Sequence, residues 1–490
     1  CDTNGHVIGL SLNNCGGIGL TDQAILVRAQ QTALHGSLTP DALLALSASN
    51  ISKTLSTLDL GCQLFHGSIP REIGSLVSLS HLDLSFQAQA SPHTYGTHSN
   101  RVLTGPIPDE LWSLPRLSYL DLGYNSITGT ISPLVGNCTT LTNLHLGTNN
   151  LTGEVPSSLG HLALLETLDI SSNAGLNSLP PPDWIPSFVH LRLLDISLCD
   201  FSGPFPPWLR HLTNLSVFTL TGNQFDGEIP DWAWRLAKLT LDFSDNSFNN
   251  TLSCDTTTTG PQPFPSLTTL DVSYNTYITG TIPCFVANLT SLLTLSFAMN
   301  SLYGPIPDMF AALTKLRFLD LSLNQFDGIL PSSMQHLRSL SELDLDTNLL
   351  SPQEVPSFLL DLPSIVRIDL SFNNFTAIPN DLAVRNSSLE YLKLSSNKLS
   401  GPIPSAFFTF IPNLKFLRLD SNQLSGEVPA SLSQLNQLQT LDLSYNSLHG
   451  PLPSTLSNLS SLLILNVQGN PIGGPIPSFI SLLDQLLVLD

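Results

Sequence analysis

Apolar positions follow one pattern along most of the chain. Between Leu414 and Leu435 the sequence reads LKFLRLDSNQLSGEVPASLSQL, which reduces to L-x-x-L-x-L-x-x-N-x-L-x-G-x-x-P and a short tail. The next copies start at Leu438 and Leu462, a period of 24 residues. Leu417 and Leu419 alternate with Phe416, Arg418 and Asp420, the period of a strand with one buried and one exposed face. Asn422 follows the strand and recurs once per unit. Its short amide can bond the backbone of a tight turn, and stacked copies predict a ladder of satisfied amides in an apolar interior. Leu424 returns to the core, Gly426 permits a turn, and Pro429 holds Val428 extended. Ala430 to Leu435 predicts a short helical or 3-10 return. One unit cannot bury its own leucines, whereas stacked units bury a continuous core. The pattern therefore predicts an α/β solenoid with one parallel strand per 24-residue repeat and short returns on its outer, convex side.

Residues 55–490 read as this solenoid, and 1–54 as the remnant of an N-terminal cap with an irregular first repeat. VIGLSLNNC (7–15) predicts a first strand and its turn, 16–33 interrupt the pattern, LHGSLTP (34–40) resumes it, and 41–54 form an extended return. Regular units begin at Leu55, Leu79 and Leu117 and continue to the one starting at Leu462. Two polar, turn-rich segments, 87–101 and 253–265, predict protruding loops that could carry function on a rigid scaffold. The chain begins at Cys1 without a polar cap and stops at LLVLD inside a unit starting at Leu486. A C-terminal cap is thus expected to be absent and the sequence to be a piece of a longer protein. It holds no apolar run of 18 residues, so any membrane span is expected outside this stretch.

The element G-x-[IVL]-P recurs as HGSIP, TGPIP, TGEVP, DGEIP, TGTIP, YGPIP, DGILP, SGPIP, SGEVP, HGPLP and GGPIP. With the leucine spacing it resembles the plant-specific class of extracellular leucine-rich repeats. That class includes ectodomains of receptor-like kinases and receptor-like proteins, and the secreted polygalacturonase inhibitors. The opening CDTNGHVIGLSL resembles the end of that family's N-terminal cap joined to its first strand. The resemblance covers nearly the whole chain and implies a right-handed superhelix with a second, lateral strand near the G-x-I-P element. With more than 17 units the chain is longer than the polygalacturonase inhibitors and fits a receptor ectodomain.

Charged residues make up 11% of the chain, and 18 basic against 38 acidic ones give a net charge of −20, which argues against a nucleic-acid partner. None of the seven cysteines forms a CxxC pair. Cys15 and Cys199 stand where the ladder asparagine normally stands and are expected as buried substitutes. Cys254 and Cys284 lie in neighbouring coils and either remain free or form a disulfide in an oxidising compartment. Cys1, Cys62 and Cys138 carry no assignment.

N-x-S/T sequons at Asn50, Asn137, Asn150, Asn214, Asn249, Asn288, Asn374, Asn386 and Asn458 are candidate sites for N-linked glycans, consistent with an extracellular protein. Asn137, Asn288 and Asn458 each precede the first leucine of a unit by four residues, on the outer return. None of the nine falls between strand leucines, so glycans would spare the inner face.

On that inner face the residue between the two strand leucines is usually Asp, as at 59, 83, 121, 169, 320 and 442; the L-D-L-S consensus reads as Asp bonding nearby backbone. Lys393 and Arg418 break the rank in adjacent units, and like charges side by side call for something anionic. Arg367 adds a third cation, Tyr391 and Phe416 lie two residues earlier on the same strands, and Glu342, Asp344 and Asp346 form an acidic cluster on one strand. Together with Arg317 these residues define a candidate site for an extended peptide. Lys393 and Arg418 would hold a carboxylate or sulfate, Tyr391 and Phe416 would pack side chains, and the acidic cluster would hold a basic residue. Peptide receptors that this chain resembles often read a terminal carboxylate with R-x-R, where this sequence has Tyr-x-Lys and Phe-x-Arg.

No GxSxG, HExxH or P-loop pattern occurs, and neither an enzymatic activity nor a cofactor is expected. His161, His211 and His336 share an outer-return position, and His93 with His98 in the first loop is a weak metal motif. The function expected is that of a plant cell-surface receptor ectodomain that binds a peptide or protein ligand, with a co-receptor kinase as a further implied partner. The alternative is a secreted cell-wall protein that binds and inhibits a polysaccharide hydrolase.

Overall fold

The computed structural model describes the backbone of residues 9–11 and the full residues 53–61, 65–85, 102–179, 188–253, 266–380 and 388–490. The segments 16–33 and 87–101, and all of 253–265 except Ser253, lie outside these residues. The chain divides into two units, Cys1–Asn246 and Ser247–Asp490.

Each unit is a stack of coils with one three-residue strand per coil on its inner side. In the first unit Gly9–Ser11 pairs with Thr57–Asp59, and the ladder continues in parallel through His81–Asp83, Tyr119–Asp121, Asn143–His145, Thr167–Asp169, Leu193–Asp195, Val217–Thr219 and Thr240–Asp242. In the second unit the ladder runs from Thr269–Asp271 through Thr294–Ser296, Phe318–Asp320, Glu342–Asp344, Arg367–Asp369, Tyr391–Lys393, Phe416–Arg418, Thr440–Asp442 and Ile464–Asn466 to Val488–Leu489. The register places central apolar residues side by side, as with Leu343, Ile368, Leu392, Leu417 and Leu441, all of them buried. A slip by one residue would turn every one of these to solvent, so burial fixes the register.

A second parallel ladder runs beside the G-x-I-P elements, as the family resemblance implied. In the first unit it joins Gly67–Ser68, Leu103–Gly105, Ser126–Gly129, Asn150–Glu154 and Gly175–Ser178. In the second it joins Thr251–Leu252, Thr279–Gly280, Ser301–Pro305 and Gln325–Asp327, and again Ser400–Pro402, Gln423–Gly426 and Ser447–Leu448. The returns are short 3-10 turns such as Arg71–Ser75, Pro133–Asn137 and Ala430–Gln434, most of them entered through a proline, and two four-residue α-turns, Ser357–Leu360 and Phe407–Phe410. His161, His211 and His336 each end one of these 3-10 turns.

The asparagine ladder forms as the pattern requires. Asn397 donates to the carbonyls of Leu370, Leu394 and Ser395 at 3.0, 3.2 and 3.2 Å and accepts from the Phe375 N–H at 3.0 Å. The residue before most ladder asparagines is left-handed without being glycine, as Ser396 (φ 52°), Phe372 (φ 52°) and Tyr445 (φ 52°) show, whereas Gly222 and Gly469 precede Asn223 and Asn470. That conformation is costly for a residue with a Cβ, and the amide bonds of the ladder asparagine that follows offset the cost. Cys199 fills the ladder position as expected, its buried thiol near the Ile170 and Ser197 carbonyls at 3.5 and 3.4 Å. Cys138 is also buried, with Sγ 3.3 Å from the Trp112 carbonyl. Burial pushes the Cys138 thiol up to about 11 and the Cys199 thiol up to about 12. Cys284 is disulfide-bonded, and Cys254 lies outside the described residues.

Candidate functional site

Each inner strand turns its first and third residues away from the core, so stacked coils carry two ranks. In the second unit one rank runs Glu342, Arg367, Tyr391, Phe416, Thr440, and the other Asp344, Asp369, Lys393, Arg418, Asp442. The ordinary member of the second rank is an aspartate that fixes its own turn. Asp320 Oδ1 accepts the Ser322 N–H at 3.0 Å and the Ser322 hydroxyl at 2.7 Å, and Asp442 does the same with Ser444 at 3.1 and 2.6 Å. Asp169, Asp195, Asp242 and Asp271 repeat the arrangement. The consensus aspartates are thus occupied with local structure.

The rank changes at Asp369. Its Oδ1 accepts the Ser371 N–H at 3.1 Å, while Oδ2 lies 2.8 Å from Lys393 Nζ. The Asp369 side chain is 7% exposed and that of Lys393 31%. This corrects one expectation: the anion that offsets Lys393 is a carboxylate of the protein, one coil back. Arg418, the register partner of Lys393 on its other side, is exposed and makes no ion pair or side-chain hydrogen bond among the described residues. In the neighbouring rank the Tyr391 and Phe416 rings stack at 4.0 Å and 14°, and Arg367 Cζ sits 5.5 Å from the Tyr391 ring centroid. Arg367, Tyr391 and Phe416 therefore form one half-buried column beside the two cations.

Asp346 stands where neighbouring coils have serine, so Asp344 Oδ1 receives the Asp346 N–H at 3.1 Å but no hydroxyl, and Asp346 accepts the Thr347 hydroxyl at 2.7 Å. Burial, then the charges of Asp369, Asp320 and Asp346, push the Asp344 carboxyl up to about 7. Glu342 is exposed beside it. Arg317 is exposed, its carbonyl accepts the Ser341 and Glu342 N–H groups at 2.8 and 3.0 Å, and its side chain makes no ion pair among the described residues. It lies one residue before its strand, the position that Glu390 and Lys415 hold in later coils. Lys415 and Glu390 form an ion pair there at 2.8 Å, which the two-rank pattern did not anticipate; opposite charges at one repeat position in adjacent units were its signal.

A second group, in the first unit, was also missed. The His81 ring stacks on Tyr119 at 4.2 Å and 13°, His145 lies 5.8 Å from Tyr119, and the Tyr119 hydroxyl donates to Asp121 Oδ2 at 3.4 Å. Burial raises the Asp121 carboxyl, Asp83 raises it further and His145 opposes them. His81 and Tyr119 are register partners, each two residues after the first leucine of its unit, Leu79 and Leu117.

Of the sequon asparagines, Asn137, Asn288 and Asn458 end 3-10 returns and are exposed, as are Asn150, Asn214 and Asn249. Asn374 is half-buried, with Nδ2 donating to the Leu350 carbonyl at 2.9 Å. Asn50, Asn386, His93 and His98 lie outside the described residues. Among the described residues no helix is long and apolar enough to cross a membrane.

The family described as Leucine rich repeat matches residues 265–326, 306–350, 363–424 and 412–472, and a second description of the same repeat matches 116–138, 140–162 and 190–212. Together they cover more than half of the chain. No curated protein matches it. Among solved structures, the ectodomain of the Arabidopsis thaliana receptor kinase GASSHO1/SCHENGEN3 in complex with CASPARIAN STRIP INTEGRITY FACTOR 2 is 27% identical with a TM-score of 0.71, over 93% of this chain and 54% of that one. PEPR1–AtPEP1 is 28% identical with a TM-score of 0.76, over 93% of this chain and 63% of that one. The ectodomain of the Arabidopsis receptor kinase HAESA, in complex with an extended IDA peptide hormone, is 28% identical with a TM-score of 0.70, over 93% of this chain and 76% of that one. This chain thus spans under two thirds of the length of the first two. From the repeat, its two ladders and these likenesses, the chain belongs to the leucine-rich-repeat family, in its plant-type extracellular form.

Proposed function

We propose that the chain is the ligand-recognition part of a plant cell-surface receptor and that it binds an extended peptide or a protein segment along the inner face of its second unit. The observation that carries this reading is the column of Arg367, Tyr391 and Phe416 beside Lys393 and the exposed Arg418, in a rank whose ordinary member is a self-satisfied aspartate. Rigid aromatics next to an uncommitted guanidinium are what peptide hot spots are made of. Arg418 takes an anionic group of the ligand, and the Phe416 and Tyr391 edges take an apolar side chain. Glu342, with Asp344 and Asp346, takes a basic residue further along. That peptide-hormone complexes recur among the similar ectodomains supports the same reading.

The similar HAESA assembly contains the co-receptor SERK1, and a co-receptor kinase is accordingly proposed as a partner here. N-linked glycans are proposed at the exposed Asn137, Asn150, Asn214, Asn249, Asn288 and Asn458. No step of this function is catalytic.

The test is capture of synthetic twelve-residue peptides from a random library by the immobilised chain, repeated with Arg418→Glu and with Phe416→Ala. Each variant should lose the captured set, with about tenfold weaker binding of individual peptides, the size of one charge-assisted contact or one buried ring. Capture that is unchanged in both variants removes the inner face of the second unit as the site.

A further inference from the structure

Asp369 is the only buried charged side chain among the described residues, at 5% exposure. At Asp320 and Asp442 in the same rank the aspartate takes both the N–H and the hydroxyl of the serine two residues on. Here Ser371 supplies only its N–H, and Lys393 occupies the remaining oxygen at 2.8 Å. A buried carboxylate stripped of its counter-charge is strongly destabilising, so Lys393 is held in place by the fold and is not available to a ligand. Arg367 is engaged over the Tyr391 ring in the other rank. Arg418 is left, with Asp442 beside it in register and Asp420 two residues on; Asp442 is bonded to Ser444, and Asp420 accepts the Ser395 hydroxyl at 2.6 Å.

We infer that Asp369 is a specificity-determining residue: by holding Lys393 it leaves Arg418 as the one open cation of these two ranks among the described residues, so the site selects a singly charged anionic group, a carboxylate or a sulfate ester, next to an aromatic or apolar side chain. The inference rests on the reading of this face as the ligand site. A doubly charged group such as a phosphate monoester would need a second cation, and its second charge would meet Asp420 and Asp442. Replacing Asp369 by a neutral isostere frees Lys393 beside Arg418 and makes the site divalent.

The probes are p-tolyl sulfate, a monoanion, and p-tolyl phosphate at pH 8, where it is a dianion, titrated by NMR into the whole chain. The wild type should bind the sulfate more tightly than the phosphate. Asp369→Asn should raise phosphate affinity by about tenfold, one added charge-assisted contact, and reverse the order. The double variant Asp369→Asn/Lys393→Met, which leaves no charge unpaired, should keep the wild-type order and affinity. Arg418→Met should abolish binding of both.

If Arg418→Met abolishes binding but Asp369→Asn leaves the ratio of the two affinities unchanged, the inference on Asp369 fails and the site stands. Loss of sulfate binding in the double variant shows that Lys393 touches the ligand, and overturns the inference independently. If the wild type binds neither probe, or binds both without regard to Arg418, the reading of the site itself is what fails.

Discussion

Lys393 Nζ reaches back one coil and lies 2.8 Å from Asp369 Oδ2, across two strands whose register makes the residues partners. Asp369 is 93% shielded and Lys393 about two thirds shielded, so the pair is only partly screened by water. Breaking it from the lysine side leaves a buried carboxylate uncompensated. Lys393→Met should therefore cost about 2–3 kcal/mol, somewhat less than a fully buried pair. Asp369→Asn/Lys393→Met should return to within about 1 kcal/mol of wild type, because neither charge is then left over. Thermal melting of the two single variants and the double variant closes the cycle. A loss in the double variant equal to the sum of the two single losses would mean that the pair contributes nothing.

Asp344 gives stability a pH dependence of known sign. Its carboxyl is pushed up to about 7, above the unfolded value of about 3.9, so between these limits the folded chain holds a proton that the unfolded chain has released. Stability contributed by this site is present at low pH, falls as pH rises from about 4 to about 7, and is level above that. Asp344→Asn removes the dependence. Relative to wild type it should be neutral at pH 4 and stabilising by about 1 kcal/mol at pH 8, allowing for solvent screening of a group that is not fully enclosed. Melting the two proteins side by side from pH 4 to pH 8 measures the difference directly. A gap that stays constant across the range, or opens toward acid, contradicts the account.

The fold was readable because each coil repeats one solution to one problem. Leu417, Asn422, Gly426 and Pro429 each answer a local demand, namely burial, turn satisfaction, reversal and exit, and the same answers recur every 24 residues or so. The column at Arg367, Tyr391 and Phe416 was readable for the same reason, since a fixed period tells which residues become neighbours. What the period cannot tell is which way a long side chain leans. Lys393 had Arg418 on one side and Asp369 on the other, and the structure shows it turned to Asp369. Nor does the period tell which partners stack: the units starting at Leu79 and Leu117 make His81 and Tyr119 partners across residues 87–101, and the structure shows their rings in contact. Arg317 sits one place off its rank, where counting alternate positions blurs an edge residue with a face residue.

The amide ladder predicts an ordering among substitutions of Asn397. Three donated bonds and one accepted bond end on backbone groups that have no water to turn to. Asn397→Ala leaves them unsatisfied and should cost about 3 kcal/mol. Asn397→Asp should cost more: the carboxylate can accept from Phe375 but cannot donate to Leu370, Leu394 and Ser395, and a charge is added to a buried site. Denaturant midpoints of the two variants check the order. If aspartate proves milder than alanine, the donated bonds are not what holds the turn.

Two glycines at the same place in the repeat separate conformational strain from collision. Gly280 (φ 92°) and Gly401 (φ 79°) both adopt the left-handed region that residues with a Cβ avoid. A Cβ at Gly401 would meet nothing within 4 Å, so Gly401→Ala carries conformational strain alone, about 1 kcal/mol. A Cβ at Gly280 would run into the backbone carbonyl of Leu252, in the strand Thr251–Leu252 that pairs with Thr279–Gly280. Backbone cannot step aside as a flexible side chain can, so Gly280→Ala must separate the two lateral strands. Its cost should exceed that of Gly401→Ala by at least about 2 kcal/mol. The Thr281 N–H, which now donates to Leu252 O at 2.9 Å, should lose its protection from hydrogen exchange while amides around Gly401 keep theirs. Melting temperatures of the two variants, read together with exchange at Thr281, decide it. Equal destabilisation with Thr281 still protected would show that the lateral strands can part enough to admit a methyl group, and that at Gly280, as at Gly401, conformation alone sets the requirement for glycine.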